Sequence, residues 1–93
     1  MNNFDFLKSP AEINMEIAKR MRERRKEKKL SQIELSQRSD VSLGSLKRFE
    51  QTGQISLTAL IKIGFALGCE DDFEVLFSRK GYRSIQEVID EQL

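Results

Sequence analysis

The 93-residue chain contains no histidine and no tryptophan, and it has a single cysteine and a single proline. Without histidine, and with Cys69 as its only thiol, the common zinc sites and the nucleophile–histidine pairs of covalent catalysis cannot be assembled. One cysteine also excludes an internal disulfide, which fits a reducing cytoplasm. No apolar run is long enough to span a bilayer, and Met1-Asn2-Asn3 does not open a signal peptide. We therefore expect a cytoplasmic protein that is not an enzyme, without metal, cofactor or membrane contact.

Charge is strongly segregated along the chain, although the net charge is only +1. Residues 19–48 contain eleven Lys and Arg against four Asp and Glu, a net of +7, whereas residues 70–93 have a net of −4. A basic segment on a nearly neutral chain is typical of a DNA-binding domain with a separate interaction surface. The alternative for the run KRMRERRKEKK at residues 19–29 is a solvated helix face.

The first helix has clear start signals, because Ser9 can cap it and Pro10 suits its first position. Four-residue spacing predicts a buried apolar stripe that consists of Ile13, Ile17 and Met21. Arg24 continues this stripe and is expected to lay its aliphatic stem along the core while its charge reaches water. The helix should end near Lys28.

The stretch SQIELSQRSDVSLGSLKRFE, residues 31–50, predicts two short helices joined by a tight turn. Ser31 and Glu34 have the spacing of a capping box, Asp40 tolerates a left-handed turn position, and Ser42 can cap the second helix. The expected apolar contacts of the two helices are Ile33, Leu35, Leu46 and Phe49. The outward face of the second helix carries Leu43, Gly44, Lys47 and Arg48. This is the arrangement that places a recognition helix in the DNA major groove.

Three more helices are expected after this stretch. Ser56 caps the fourth and Gly68 ends it. Its predicted core residues are Leu57, Leu60, Ile61 and Ile63. Gly64 within this helix indicates close packing. A fifth helix should begin at Asp71-Asp72, contain Phe73, Leu76 and Phe77, and cover Phe65; a capping box at Ser84 opens the last helix.

Over residues 17–67 the chain resembles the Cro/CI (lambda-repressor-like, XRE) helix-turn-helix family. The matching positions are Arg25, Ser31, Gln32, Leu35, Val41, Ser42, Leu46 and Glu50. The resemblance implies an all-α, lambda-repressor-like bundle of four to five helices plus one or two C-terminal helices. On this basis the chain divides into a flexible leader at 1–8, a helix-turn-helix domain at 9–68 and a helical extension at 69–93.

The resemblance also implies a set of DNA-contacting residues. It assigns a phosphate contact to Gln32, and it pairs Arg25 with Glu50 so that the arginine is oriented toward the phosphate backbone. The expected contacts from the start and outward face of the recognition helix are Ser42, Leu43, Gly44, Ser45, Lys47 and Arg48. Among them Arg48 is the strongest candidate for a base contact, because a guanidinium pairs bidentately with guanine; a phosphate contact is its alternative.

The leading functional expectation is a dimeric transcriptional repressor that binds a palindromic operator in double-stranded DNA. The tail segments EDDFEVLF and GYRSIQEVIDEQ resemble those of HipB-type antitoxins, which bind a HipA-like kinase and repress their own operon. A third possibility is a protein-interaction module without DNA binding. The expected dimer or partner surface consists of Phe65, Phe73 and Phe77, and a bacterial nucleoid-associated location would follow from DNA binding.

Overall fold

A computed structural model describes residues 8–81 and 85–92, with side chains described outside 85–88. This part of the chain contains six helices: α1 (Pro10–Glu27), α2 (Gln32–Ser39), α3 (Leu43–Thr52), α4 (Leu57–Ala66), α5 (Glu70–Glu74) and α6 (Ile85–Gln92). It contains no strand, and the predicted all-α class is confirmed. The leader before Lys8 and the capping residue Ser84 lie outside the described residues.

Serine side chains fix the starts of the first four helices. The hydroxyl oxygens of four N-cap residues each accept a backbone N–H three positions further on, and these residues are Ser9, Ser31, Ser42 and Ser56. At Ser31 the capping box is complete, since the Glu34 carboxylate accepts the Ser31 backbone N–H at 3.0 Å. All four starts were predicted from local sequence, because a cap needs only residues within one turn.

Left-handed residues end α2 and α3 and set the angle to the next helix. Asp40 adopts φ 58° after α2, as its short polar side chain allows. Gly53 ends α3 at φ 77°, and a Cβ atom there would lie 2.9 Å from the carbonyl carbon of Asn14. The absence of a side chain therefore permits the end of α3 to pack directly on the first turns of α1.

The core lies where α1 crosses α3 and where α2 packs against α3 and α4. Its buried apolar side chains are Ala18, Met21, Leu30, Leu35, Val41, Leu46, Phe49, Ile63 and Leu67. The fully buried Leu35, Leu46 and Phe49 lie in the core between the two helices of the central motif. Through this core, α3 packs against α1 and α2 packs against α4.

The predicted buried stripe of α1 is wrong at its first member, because Ile13 is exposed. The predicted Met21 is buried, together with Ala18 and Arg25. Arg24 lies one position, about 100° of helix rotation, away from Arg25. Its guanidinium therefore reaches the surface and pairs with the Glu27 carboxylate at 2.9 Å.

The expected core contacts of Ile33 and Leu57 are also wrong, because both side chains are exposed. Ile33 lies on the side of α2 opposite the fully buried Leu35, because residues two positions apart on a helix point about 200° away from each other. Leu57 occupies the first turn of α4, ahead of the stretch around Ile63 that meets the core.

The fifth helix is shorter than predicted and covers a different residue. It begins at Glu70 and ends at Glu74, so Leu76 and Phe77 lie outside it. Phe77 adopts φ 60° and its side chain is 96% exposed. Phe65 is 62% exposed and therefore not covered, whereas Phe73 lies against Gly64, where a Cβ atom would be 2.2 Å from the ring carbon Cε2. The close packing predicted at Gly64 is confirmed.

Candidate nucleic-acid interface

The outward side of α3 is polar, basic and open. Leu46 and Phe49 point into the core, so the opposite side of the helix faces solvent. The exposed residues of α3 are Gly44, Ser45, Lys47, Arg48, Gln51 and Thr52, and Leu43 is half-buried. A Cβ atom at Gly44 would meet no atom within 4 Å, so the backbone at the start of α3 is accessible to a large partner.

A buried ion pair fixes α3 against α1. The Arg25 guanidinium donates from Nε to Glu50 Oε2 at 2.9 Å and from Nη2 to Glu50 Oε1 at 3.0 Å. Its third nitrogen, Nη1, donates to the carbonyl oxygen of Leu30 at 2.9 Å. Arg25 is 8% exposed and the Glu50 side chain 6% exposed. The planar guanidinium therefore satisfies a buried carboxylate bidentately, and it retains little surface for a phosphate.

The Glu50 carboxylate also reaches α2. Its Oε1 atom accepts a hydrogen bond from Gln32 Nε2 at 3.2 Å, and Arg22 Nε lies 3.7 Å from the same oxygen. One carboxylate thus connects residues of α1, α2 and α3. The surrounding polar pocket is lined by Arg22, Arg25, Ser31, Gln32, Glu50 and Gln51. Gln32 donates one amide hydrogen to Glu50, and this bond orients the Gln32 side chain. Its second amide hydrogen can be donated to another acceptor.

The two serines at the start of α3 bond to each other. Ser42 Oγ accepts the backbone N–H of Ser45 at 3.1 Å and donates to Ser45 Oγ at 2.8 Å. Both residues are exposed. Of the two predicted roles of Ser42, the structure contains the cap, and the phosphate role stays a prediction.

Arg48 is tethered at the end of α3. Its Nη2 atom donates to Gln54 Oε1 at 2.6 Å, and both side chains are exposed. Thr52 Oγ1 donates to the Arg48 carbonyl oxygen at 2.7 Å and accepts the Gln54 backbone N–H at 3.2 Å. The turn after α3 therefore supports the side chain that is the strongest candidate for reading a base.

The start of α2 carries a stabilised negative charge. Hydrogen bonds from the backbone N–H and the side chain of Ser31 lower the pKa of Glu34 below 4.5, with a smaller contribution from the positive charge of Arg38. An ionised Glu34 completes the capping box and favours the helix N-terminus electrostatically. This cap fixes the first turn of α2, where Gln32 lies.

A second, apolar surface lies on the side of the bundle formed by α1, α4 and α5. A groove of about 590 Å³ is lined there mainly by apolar side chains, including Leu57, Leu60, Phe73 and Leu76. Phe73 was predicted on a partner surface, and it does line this groove. The other two predicted members, Phe65 and Phe77, are exposed but do not line it.

A scan against protein-family models matched the model described as Helix-turn-helix over residues 21–73, which is more than half of the chain. The chain belongs to this family, the Cro/CI-like helix-turn-helix proteins, and is a DNA-binding regulator. No curated protein and no solved structure matched it. In the described part of the chain, no helix is both long and apolar enough to cross a membrane, and no group of side chains suits a metal ion.

Three residues on the polar surface around α3 were not predicted from the sequence, namely Arg22, Gln51 and Gln54. Arg22 lies in a run of basic residues where composition singles out none of them. Its spacing of three from Arg25 places both on one side of α1, a signal that becomes usable only once Arg25 is known to meet Glu50. Gln51 lies in the last turn of α3, and Gln54 lies in the turn after it, so their positions depend on where this helix ends.

Proposed function

We propose that the protein is a sequence-specific transcriptional repressor that binds double-stranded DNA as a homodimer at a palindromic operator. The observation that carries the proposal is the open, basic side of α3, which the buried Arg25–Glu50 pair holds at a fixed orientation beside Gln32. A recognition helix must be rigidly placed relative to the backbone contacts that set its register, and this pair supplies that placement.

Within this proposal Arg48 reads a base and Leu43 offers an apolar contact, for example to a thymine methyl group. Gly44 admits the DNA backbone or a base edge to close range, because its surroundings are open. The proposed phosphate contacts are Gln32, Ser42, Ser45 and Lys47. With few hydrogen-bonding readers on α3, the shape and deformability of the operator supply part of the specificity.

Homodimer formation is proposed for two reasons. One recognition helix contacts only a few base pairs, so two units related by a two-fold axis are needed for a specific site. The chain from α4 to the turn after α5 also exposes the large apolar side chains of Phe65, Val75 and Phe77. Exposed apolar side chains that line one groove, as Leu57, Val75 and Leu76 do, are typical of association surfaces.

The test begins with a fluorescence-anisotropy titration on DNA from upstream of the protein's own gene, with random DNA of equal length as the control. We expect tighter binding to the upstream DNA, a footprint with two half-sites about one helical turn apart, and repression of a reporter driven by that DNA. Sedimentation at the same protein concentrations should show a dimer. Equal affinity for both DNAs would refute sequence-specific recognition.

An antitoxin function is the second candidate, favoured by the exposed apolar residues Val75, Leu76 and Phe77 in the extension. Such a protein would bind a HipA-like kinase through this extension and still repress its own operon. Co-expression with the neighbouring gene product distinguishes the candidates. A stable complex that is lost on replacing Phe77 with serine supports the antitoxin, and a free dimer supports a simple repressor. Absence of DNA binding in every titration would leave an interaction module.

A further inference from the structure

We infer that Arg22 is a DNA-phosphate-binding residue, and that it occupies a site at the junction of α1, α2 and α3 next to Gln32. This inference rests on the proposed DNA-binding function and deepens it. The ligand is a phosphodiester group of the DNA backbone. Arg25, which the family resemblance orients toward phosphate, acts here as a positioning residue behind this site.

Arg25 is already held by acceptors within the protein. Each of its three guanidinium nitrogens already donates to a protein oxygen within 3.0 Å, and the residue is 8% exposed. A phosphate that replaced Glu50 as its partner would deprive a buried carboxylate of its bidentate counter-charge and leave it only Gln32 and the more distant Arg22, which is unfavourable. The ion pair therefore stays closed when DNA binds.

Arg22, in contrast, is accessible to a DNA phosphate. Its side chain is 56% exposed, and its Nε atom lies 3.7 Å from Glu50 Oε1, beyond hydrogen-bonding distance. That oxygen already accepts hydrogen bonds from Arg25 and Gln32. Arg22 is thus held near the junction by attraction to Glu50, while its guanidinium can turn outward to an incoming anion.

The cluster that consists of Arg22, Arg25 and Glu50 has a net positive charge. Arg22 and Arg25 together carry two positive charges against the single negative charge of Glu50, so the cluster is positive by one unit. Without Arg22 the remaining pair would be neutral, and Gln32 would meet a phosphate through a dipole alone. Arg22 and Gln32 line the same open polar pocket, so one phosphate can bind both side chains.

The experiment compares Arg22→Ala with Arg20→Ala, which removes the same charge from the same helix. Arg20 lines the apolar groove on the α4–α5 side and not the polar pocket, so it is a matched control. Affinity for the upstream DNA and for random DNA is measured by anisotropy between 50 and 200 mM salt. Thermal melting of each variant checks that the fold is retained.

Each phosphate contact contributes about −0.9 to the slope of log affinity against log salt, so a fourfold rise in salt costs about 3.5-fold in affinity per contact. We expect Arg22→Ala to lose one such contact per subunit, and therefore two per homodimer, on both DNAs, with unchanged base preference and melting temperature. Arg20→Ala should keep the wild-type slope.

Equal slopes for Arg22→Ala, Arg20→Ala and wild type would overturn the assignment of Arg22 and leave the DNA-binding proposal intact. Loss of preference for one base pair in Arg22→Ala would also overturn it, because a phosphate contact carries no base information. Wild-type protein that binds neither DNA would instead refute the proposed function, and with it this inference.

Discussion

Replacing Gly64 with alanine tests whether Phe73 holds α5 on α4. In the interior of a helix this substitution normally stabilises by about 0.5–1 kcal/mol. Here the added Cβ atom would lie 2.2 Å from Phe73 Cε2 and 3.0 Å from Cζ, so the ring must move. Overpacking of this kind costs about 1–3 kcal/mol. Because the gain in helix propensity offsets only part of this steric cost, we expect a net loss of up to about 2.5 kcal/mol in the free energy of unfolding.

The decisive comparison is the same substitution in a Phe73→Ala background, where the obstructing ring is gone. There Gly64→Ala should stabilise the protein by about 0.5–1 kcal/mol, which reverses the sign of its effect. Urea denaturation followed by circular dichroism measures all four proteins. Gly44→Ala is the control, since a Cβ atom at that helical glycine meets nothing within 4 Å. Stabilisation by Gly64→Ala in the wild-type background would refute the docking of α5 by Phe73.

Three further predictions concern the interface. Arg25→Ala should lower the free energy of unfolding by about 3–5 kcal/mol in urea denaturation, because it removes the bidentate partner of the buried Glu50 carboxylate. The double variant with Glu50→Ala should lose less, whereas a loss below about 1 kcal/mol, as for an exposed pair, would contradict the role of this ion pair. Arg48→Ala should weaken operator binding by about 1–3 kcal/mol and relax the preference at one base pair per half-site in competition titrations, whereas an equal loss on random DNA would assign Arg48 to phosphate. Since the folded-state pKa of Glu34 is lowered, its ionised form stabilises the protein above pH 4.5 and this contribution is lost as the pH falls through the folded-state pKa. Melting temperatures between pH 6 and 3 should therefore fall more steeply for wild type than for Glu34→Gln, and parallel curves would exclude the effect.

The elements predicted most accurately from sequence are those that depend on neighbouring residues. The caps at Ser31 and Ser42 and the left-handed turn at Asp40 involve contacts within a few positions, and the structure contains all three. The match of Leu46 and Phe49 to the core follows in the same way, because their spacing alone places them on one side of α3.

Predictions failed where burial depends on what a helix meets. The apolar spacing of α1 favours a stripe through Ile13, but the buried side of this helix runs instead through Ala18, Met21 and Arg25. No local rule selects a charged residue for a buried position, since its partner Glu50 lies 25 residues away. Resemblance to the family identified that pair. Neither resemblance nor spacing identified Arg22 or Gln54, whose positions depend on the packed bundle.

The buried Arg25–Glu50 pair raises the question of why a small core contains two charges. Replacing a buried ion pair with well-packed apolar residues is often neutral or stabilising, so stability alone does not account for it. An apolar pair would join α1 to α3 equally well. It could not accept the amide hydrogen of Gln32 at 3.2 Å, nor attract Arg22 toward the same oxygen. Only a carboxylate at position 50 connects the recognition helix to both of these polar side chains. The pair therefore aligns the proposed base-reading and phosphate-binding groups, and its cost in stability is offset by the bidentate geometry and the third hydrogen bond to Leu30.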